Sequence, residues 1–132
     1  MKRTALLLTV ACGLWTVRPA FGMDRLSALS MLETGNNDRQ IGRKGEVTRF
    51  QILPRLWRQY GQGDPMNATD AARAVQRIMS ERLGRAALPR RLPHPITNFD
   101  FYVLWNAPAE IRHPSPVVRE RACRFANLCS IR

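Results

Sequence analysis

Apolar and polar positions divide the chain into one nearly unbroken apolar block and a series of shorter, periodic segments. The block runs from Ala5 to Val17 and is interrupted only by Thr9, Gly13 and Thr16. Downstream, Leu26, Leu29, Met31 and Leu32 fall near helical spacing, which predicts a first helix from Asp24 to Glu33. Gly35-Asn36-Asn37-Asp38 ends it. The stretch from Gly35 to Gly45 is polar and holds three glycines, a pattern for a loop or small hairpin. Val47 to Ile52 alternates enough for a short strand. Pro54 suits the first turn of a helix through Leu56, Trp57 and Tyr60, stopped by Gly61 and Gly63.

The clearest periodicity follows. Ala71, Ala74, Val75, Ile78, Met79 and Leu83 line one face of a helix. Asn67 or Thr69 can cap it, Asp70 favours its first turn, and Gly84 is the expected stop. Residues 85–96 contain three prolines and three arginines, which reads as an exposed basic connection. Thr97 or Asn98 caps a helix through Phe99, Tyr102, Val103 and Trp105, and Pro108 breaks it. Phe99 and Val103, one turn apart, read as core; Tyr102 and Trp105 share another edge. Ser115-Pro116 opens a last helix, Val117 to Leu128. The expected fold is mainly α, a helical bundle with at most a small β-hairpin.

The amino-terminal block has the form of a secretory leader, residues 1–22. Lys2 and Arg3 precede the apolar run, and Ala20-Phe21-Gly22 offers small residues for cleavage before Met23. As a membrane anchor the run falls short of the ~20 residues a span needs. Thr9-Val10-Ala11 is a poor setting for lipidation of Cys12. The expected location is therefore periplasmic or secreted, with one domain at 23–132 and no stable span after cleavage.

Lys2, Arg3 and Arg18 lie in the leader, so the rest keeps 18 basic residues against 10 acidic, a net charge of +8. Lys44 is its only lysine. Such a balance suits an acidic partner: the polyanionic bacterial envelope, nucleic acid or lipid head groups. A well-solvated arginine-rich surface is the plainer alternative. With export, Cys123 and Cys129 are candidates for a disulfide, the alternative being two free thiols. His94 and His113 each precede a proline and read as loop residues, so no metal site and no cofactor are expected.

The candidate chemistry centres on Glu33. A carboxylate at a helix end, among apolar and aromatic side chains, can donate a proton near neutral pH. Leu32, Phe50 and Trp105 are the expected surroundings. Gln51 and Asn106 carry uncharged amides able to bond N-acetyl and hydroxyl groups. Tyr102 and Trp105 offer flat faces for sugar rings. Trp57 and Tyr60 do too, although on a short helix they are more often core.

Three blocks then carry a resemblance: Glu33-Thr34-Gly35-Asn36, Phe50-Gln51-Ile52 with Pro54 and Trp57, and Trp105-Asn106-Ala107-Pro108. Their order and spacing resemble the lysozyme-like superfamily, in particular lytic transglycosylases and goose-type lysozymes, over residues 26–108. In those proteins a catalytic Glu-Ser precedes a Met-Gln-Ile/Leu segment and then Tyr-Asn-Ala-Gly. Here Thr34 replaces serine, Arg49 stands at a position usually small or apolar, and Trp105 and Pro108 replace tyrosine and glycine.

The resemblance implies a lysozyme-like α+β fold whose hairpin flanks the cleft, and cleavage of the β-1,4 bond between MurNAc and GlcNAc in peptidoglycan. Glu33 would be the general acid, with Gln51, Tyr102, Trp105 and Asn106 binding glycan strands. In a transglycosylase Glu33 then acts as base for the sugar's own 6-hydroxyl. Inverting hydrolysis instead needs a second carboxylate roughly 6.5–9.5 Å away. Glu46 is the best placed, ahead of Asp38 and Asp100; an ion pair with Arg43 or Lys44 is its structural alternative. A non-catalytic basic module that binds the envelope or peptidoglycan is the competing function. The arginine-rich stretch 82–91 prompts a nucleic-acid reading, but no nucleic-acid motif accompanies it and no nucleic-acid partner is expected. Oligomeric state is not legible.

Overall fold

A computed structural model describes residues 22–86, 92 and 94–130. The expected leader lies outside the described residues except for Gly22. Asp24 caps the first helix, α1 (Arg25–Thr34), by accepting from the backbone N–H groups of Leu26 and Ser27 at 2.9 and 3.0 Å. Gly35 ends it in the left-handed conformation, φ 61°, which costs an L-residue with a Cβ energy and glycine little.

Pro54 opens α2 (Pro54–Tyr60), and Gly61 closes it. The longest helix, α3 (Ala68–Ala86), begins where the Asn67 side chain accepts from Thr69 and Asp70 N–H. It continues past Gly84, the expected stop. A helix-interior glycine costs only ~1 kcal/mol, and Gly84 is exposed in open space. Helix α4 (Asn98–Asn106) carries a complete capping box between Thr97 and Asp100. A 3-10 turn at Pro108–Glu110 leads to α5 (Pro116–Cys129).

Helix α4 is the centre of the core. Asp100 to Trp105 are all buried, so the helix is covered on every side rather than along one stripe. It packs on α5 and α3; α1 packs on α5, and α2 on α3. Phe125 of α5 stacks on Phe101 at 5.7 Å between ring centres and lies 5.5 Å from Tyr102. The Arg25 guanidinium covers the outer face of Phe101 at 4.8 Å.

The fold is mainly helical, with five α-helices and no extended strand among the described residues. The expected strand at 47–52 is instead a tight turn closed by one antiparallel bridge, Val47 with Ile52, at 2.8 and 2.7 Å. One bridged pair with no neighbouring strand cannot propagate a ladder. The expected Cys123–Cys129 disulfide is also absent; both thiols are free. Six residues apart on one helix, their backbones are ~9 Å apart along the axis, beyond the reach of a bridge.

Candidate functional site

Glu33 sits in the last turn of α1, where the helix's unpaired carbonyls disfavour a negative charge. Its side chain is only 11% exposed. Two helices from the far end of the sequence grip it. Tyr102 Oη of α4 donates to Oε1 at 2.8 Å, and Arg121 Nη2 of α5 donates to Oε2 at 3.1 Å. The Arg121 guanidinium also lies over the Tyr102 ring, 5.9 Å from its centre.

These contacts pull the carboxyl's proton affinity in opposite directions. Burial raises it and is the largest influence; Arg121 and the Tyr102 hydroxyl lower it; the charge of Glu46 raises it again. The balance leaves Glu33 above its ordinary value. A carboxyl held in this way is a better proton donor near neutral pH than an exposed one. Tyr102, buried beside a carboxylate, is pushed far upward and stays a neutral donor.

The glycine-rich loop reaches Glu33 through a backbone tether. Thr34 Oγ1 donates to the carbonyl of Arg49 at 2.8 Å, which ties the end of α1 to the turn at 47–52. Within that turn Thr48 and Gln51 adopt left-handed backbone, φ 71° and 54°. Left-handed backbone costs a non-glycine residue roughly 1–2 kcal/mol. Hydrogen bonds offset it: Phe50 N–H to Thr48 Oγ1 and Gln51 N–H to the Thr48 carbonyl, both at 3.1 Å. The result carries Gln51 to the wall of the cleft.

Glu33, Glu46, Gln51, Trp105 and Asn106 all line one polar cleft of about 380 Å³. Sequence blocks more than 70 residues apart therefore meet at one place. Glu46 Oε2 accepts from the backbone N–H of Lys44 at 2.8 Å. The ion pair with Arg43 or Lys44, the structural alternative for Glu46, does not occur among the described residues. Gln51 Nε2 donates to the carbonyls of Gln40 and Thr48 at 3.2 and 3.3 Å, which fixes its amide. A Cβ on Gly42 would overlap both Glu46 Oε2 and Gln51 Oε1, so the absence of a side chain there lets both reach the cleft.

Several expected roles change. Tyr102 has no solvent exposure and does not line the cleft, so it cannot serve as a sugar platform. The aromatic-rich helix is submerged further than its periodicity implied, and the hydroxyl is turned onto Glu33. Trp105 lines the cleft but is 8% exposed and offers little of its ring. Asp38 is held by Arg49 through two bonds of 2.6 and 2.8 Å, and Asp100 is buried in its capping box. Both are removed as second carboxylates. Arg49 spends its charge on Asp38 and leaves the cleft clear, whereas Pro108 stands on the cleft wall. Tyr60 hydrogen-bonds Glu81 outside this cleft, and Trp57 packs on the core.

Sequence reasoning missed the cleft's cations. Arg121, Arg82, Arg55 and Lys44 all line it. Arg82 donates to the Leu104 carbonyl at 2.9 Å and to that of Trp105, and so satisfies the end of α4. Its guanidinium is 5.8 Å from the centre of the Trp105 ring. Arg121 could have been found from its place one residue before buried Ala122 and four before buried Phe125, at the edge of the apolar face of α5. Among the described residues no group of three or more His, Cys, Asp or Glu side chains is placed to hold a metal ion. In comparisons with known proteins, no family model, no curated protein and no solved structure matches the chain.

Proposed function

We propose that this chain is a peptidoglycan-cleaving glycosidase, a lytic transglycosylase or lysozyme-type hydrolase of lysozyme-like fold, acting on the MurNAc–GlcNAc β-1,4 bond in the periplasm or outside the cell. The observation that carries the reading is the environment of Glu33. A buried carboxyl above its ordinary proton affinity opens onto a polar cleft furnished with the amides of Gln51 and Asn106.

In this reading the protonated Glu33 delivers its proton to the glycosidic oxygen as the bond to the anomeric carbon breaks. The resulting Glu33 carboxylate is stabilised where it forms, by Tyr102 Oη and Arg121 Nη2. The oxocarbenium-like sugar then closes in one of two ways. Glu33 can take the proton of the sugar's 6-hydroxyl, giving a 1,6-anhydro end. Alternatively, Glu46, on the same cleft, activates water and gives a reducing end.

A second reading is supported by the cleft's positive charge and by Pro108 on its wall: a basic module that binds sacculi without cutting them. Digestion of purified sacculi, with mass spectrometry of the soluble products, separates the readings. Anhydro ends identify transglycosylation and reducing ends hydrolysis. Salt-sensitive binding with no soluble product rejects cleavage and leaves the module.

A further inference from the structure

The loop between α1 and the turn at 47–52 carries a feature that the Glu33 chemistry leaves unexplained. In the run 39–44 every residue except Gly42 is exposed. Ile41 stands at its centre, 60% exposed, with Arg39 on one side and Arg43 and Lys44 on the other. A lone exposed isoleucine is ordinary on a protein surface; one set among unpaired cations is not. The side chains of Arg39, Arg43 and Lys44 make no hydrogen bond or ion pair among the described residues. The nearest carboxylates are occupied, Asp38 by Arg49 and Glu46 by the Lys44 N–H. The exposure of Ile41 is also built in. On one side of it the Gln40 carbonyl accepts from Gln51 Nε2 at 3.2 Å, and on the other Gly42 N–H donates to the Glu46 carbonyl at 2.9 Å. Both neighbours are anchored, so the side chain is held out in water by the backbone on either side.

Cations around an aliphatic side chain match the interface of an anionic bilayer, where lipid phosphates lie above hydrocarbon. A nucleic acid or other soluble polyanion satisfies the cations but leaves Ile41 in water, and the run 37–46 holds no aromatic ring to stack on a base. We infer that the loop at 39–44 is a docking surface for an anionic phospholipid membrane: Ile41 enters the acyl boundary while Arg39, Arg43 and Lys44 meet the phosphates. The contact is peripheral and reversible, since one aliphatic side chain and three charges fall far short of a membrane span. Lys44 and Glu46 also line the Glu33 cleft, so docking holds that cleft beside the bilayer. The inference does not depend on what the cleft cuts.

The test is co-sedimentation with vesicles, using the chain from Met23 onward. That chain holds the whole core, Ala28 to Phe125, and omits the apolar block 5–17, which would bind lipid by itself. Circular dichroism checks that it and each variant are folded. Binding to mixed phosphatidylglycerol–phosphatidylcholine vesicles is expected to be saturable and weakened by salt, and pure phosphatidylcholine is expected to bind at least about tenfold less well. Ile41→Ser is expected to weaken binding about tenfold. Arg39→Ser combined with Arg43→Ser is expected to weaken it about 25-fold, roughly fivefold for each cation. Arg58→Ser combined with Arg119→Ser removes the same charge from exposed positions outside the loop and is expected to change binding by less than about threefold. In Ile41→Trp the added fluorescence is expected to shift to the blue on anionic vesicles, beyond any shift of the parent protein. No binding to anionic vesicles overturns the inference. Undiminished binding by Ile41→Ser, or no blue shift, reduces the loop to a contact for any polyanion and overturns it too. An equal loss in the two double arginine variants assigns binding to net charge and does the same.

Discussion

The hydroxyl of Tyr102, on a fully buried ring, donates to Glu33 Oε1 at 2.8 Å across 69 positions of sequence. It fixes the orientation of the carboxyl and favours its ionised form. Tyr102→Phe removes that support and leaves burial in place, so the proton affinity of Glu33 rises further. The pH limb on which a general acid loses its proton moves to higher pH. Thermal unfolding falls by the equivalent of about 1–3 kcal/mol, because a buried acceptor loses its partner. A pH–rate profile with a melting curve checks both.

Arg121 is the larger of the two opposing influences on Glu33. Arg121→Gln therefore shifts the same limb upward by more than Tyr102→Phe does. Its stability cost is smaller, since the arginine is 39% exposed and its pair is partly screened. A shift smaller than that of Tyr102→Phe would remove Arg121 from this role.

Glu33 itself opposes stability where it is ionised. Its proton affinity is higher in the folded protein than in the exposed, unfolded chain. Its contribution is fully present below the unfolded value and is lost as pH rises through the folded value, at about 1.4 kcal/mol per pH unit of the difference. Glu33→Gln removes this pH dependence. The variant's melting temperature relative to wild type is expected to be higher at pH 8 than at pH 4. A difference that does not change with pH contradicts the burial argument.

Gly42→Ala places a methyl group against the carboxylate of Glu46 and the amide of Gln51. Both are side-chain ends able to move, so the fold survives with a melting temperature close to wild type. Activity is expected to drop about tenfold or more, as a displaced group of ~1 Å does elsewhere. Unchanged kinetics would show that neither side chain is used.

Alkylation of the denatured protein under non-reducing conditions is expected to label both Cys123 and Cys129. Protection of both thiols would overturn the unbridged geometry of α5.

Much of this arrangement was legible in the sequence where local rules apply. The caps at Asn67 and Thr97, Gly35 after α1 and Pro54 at the start of α2 announced four helix ends. The order of the blocks around Glu33, Gln51 and Asn106 announced the cleft. What escaped depends on distance. The depth of α4 is set by what covers it, so Tyr102 read as an edge aromatic and became a buried donor. Arg121 lies 88 positions from Glu33, and only packing of α5 against α1 and α4 brings them together. The strand expected at 47–52 failed because alternation over six residues cannot distinguish a ladder from a strained turn.

The central claim is that the Glu33 proton breaks a glycosidic bond. The direct measurement is the rate of soluble muropeptide release from purified sacculi by wild-type protein and by Glu33→Gln, both verified as folded. The account predicts release by wild type and a loss of at least ~100-fold in the variant, the lower end of what a general acid contributes. Equal release by the two proteins, or none by wild type, would contradict it.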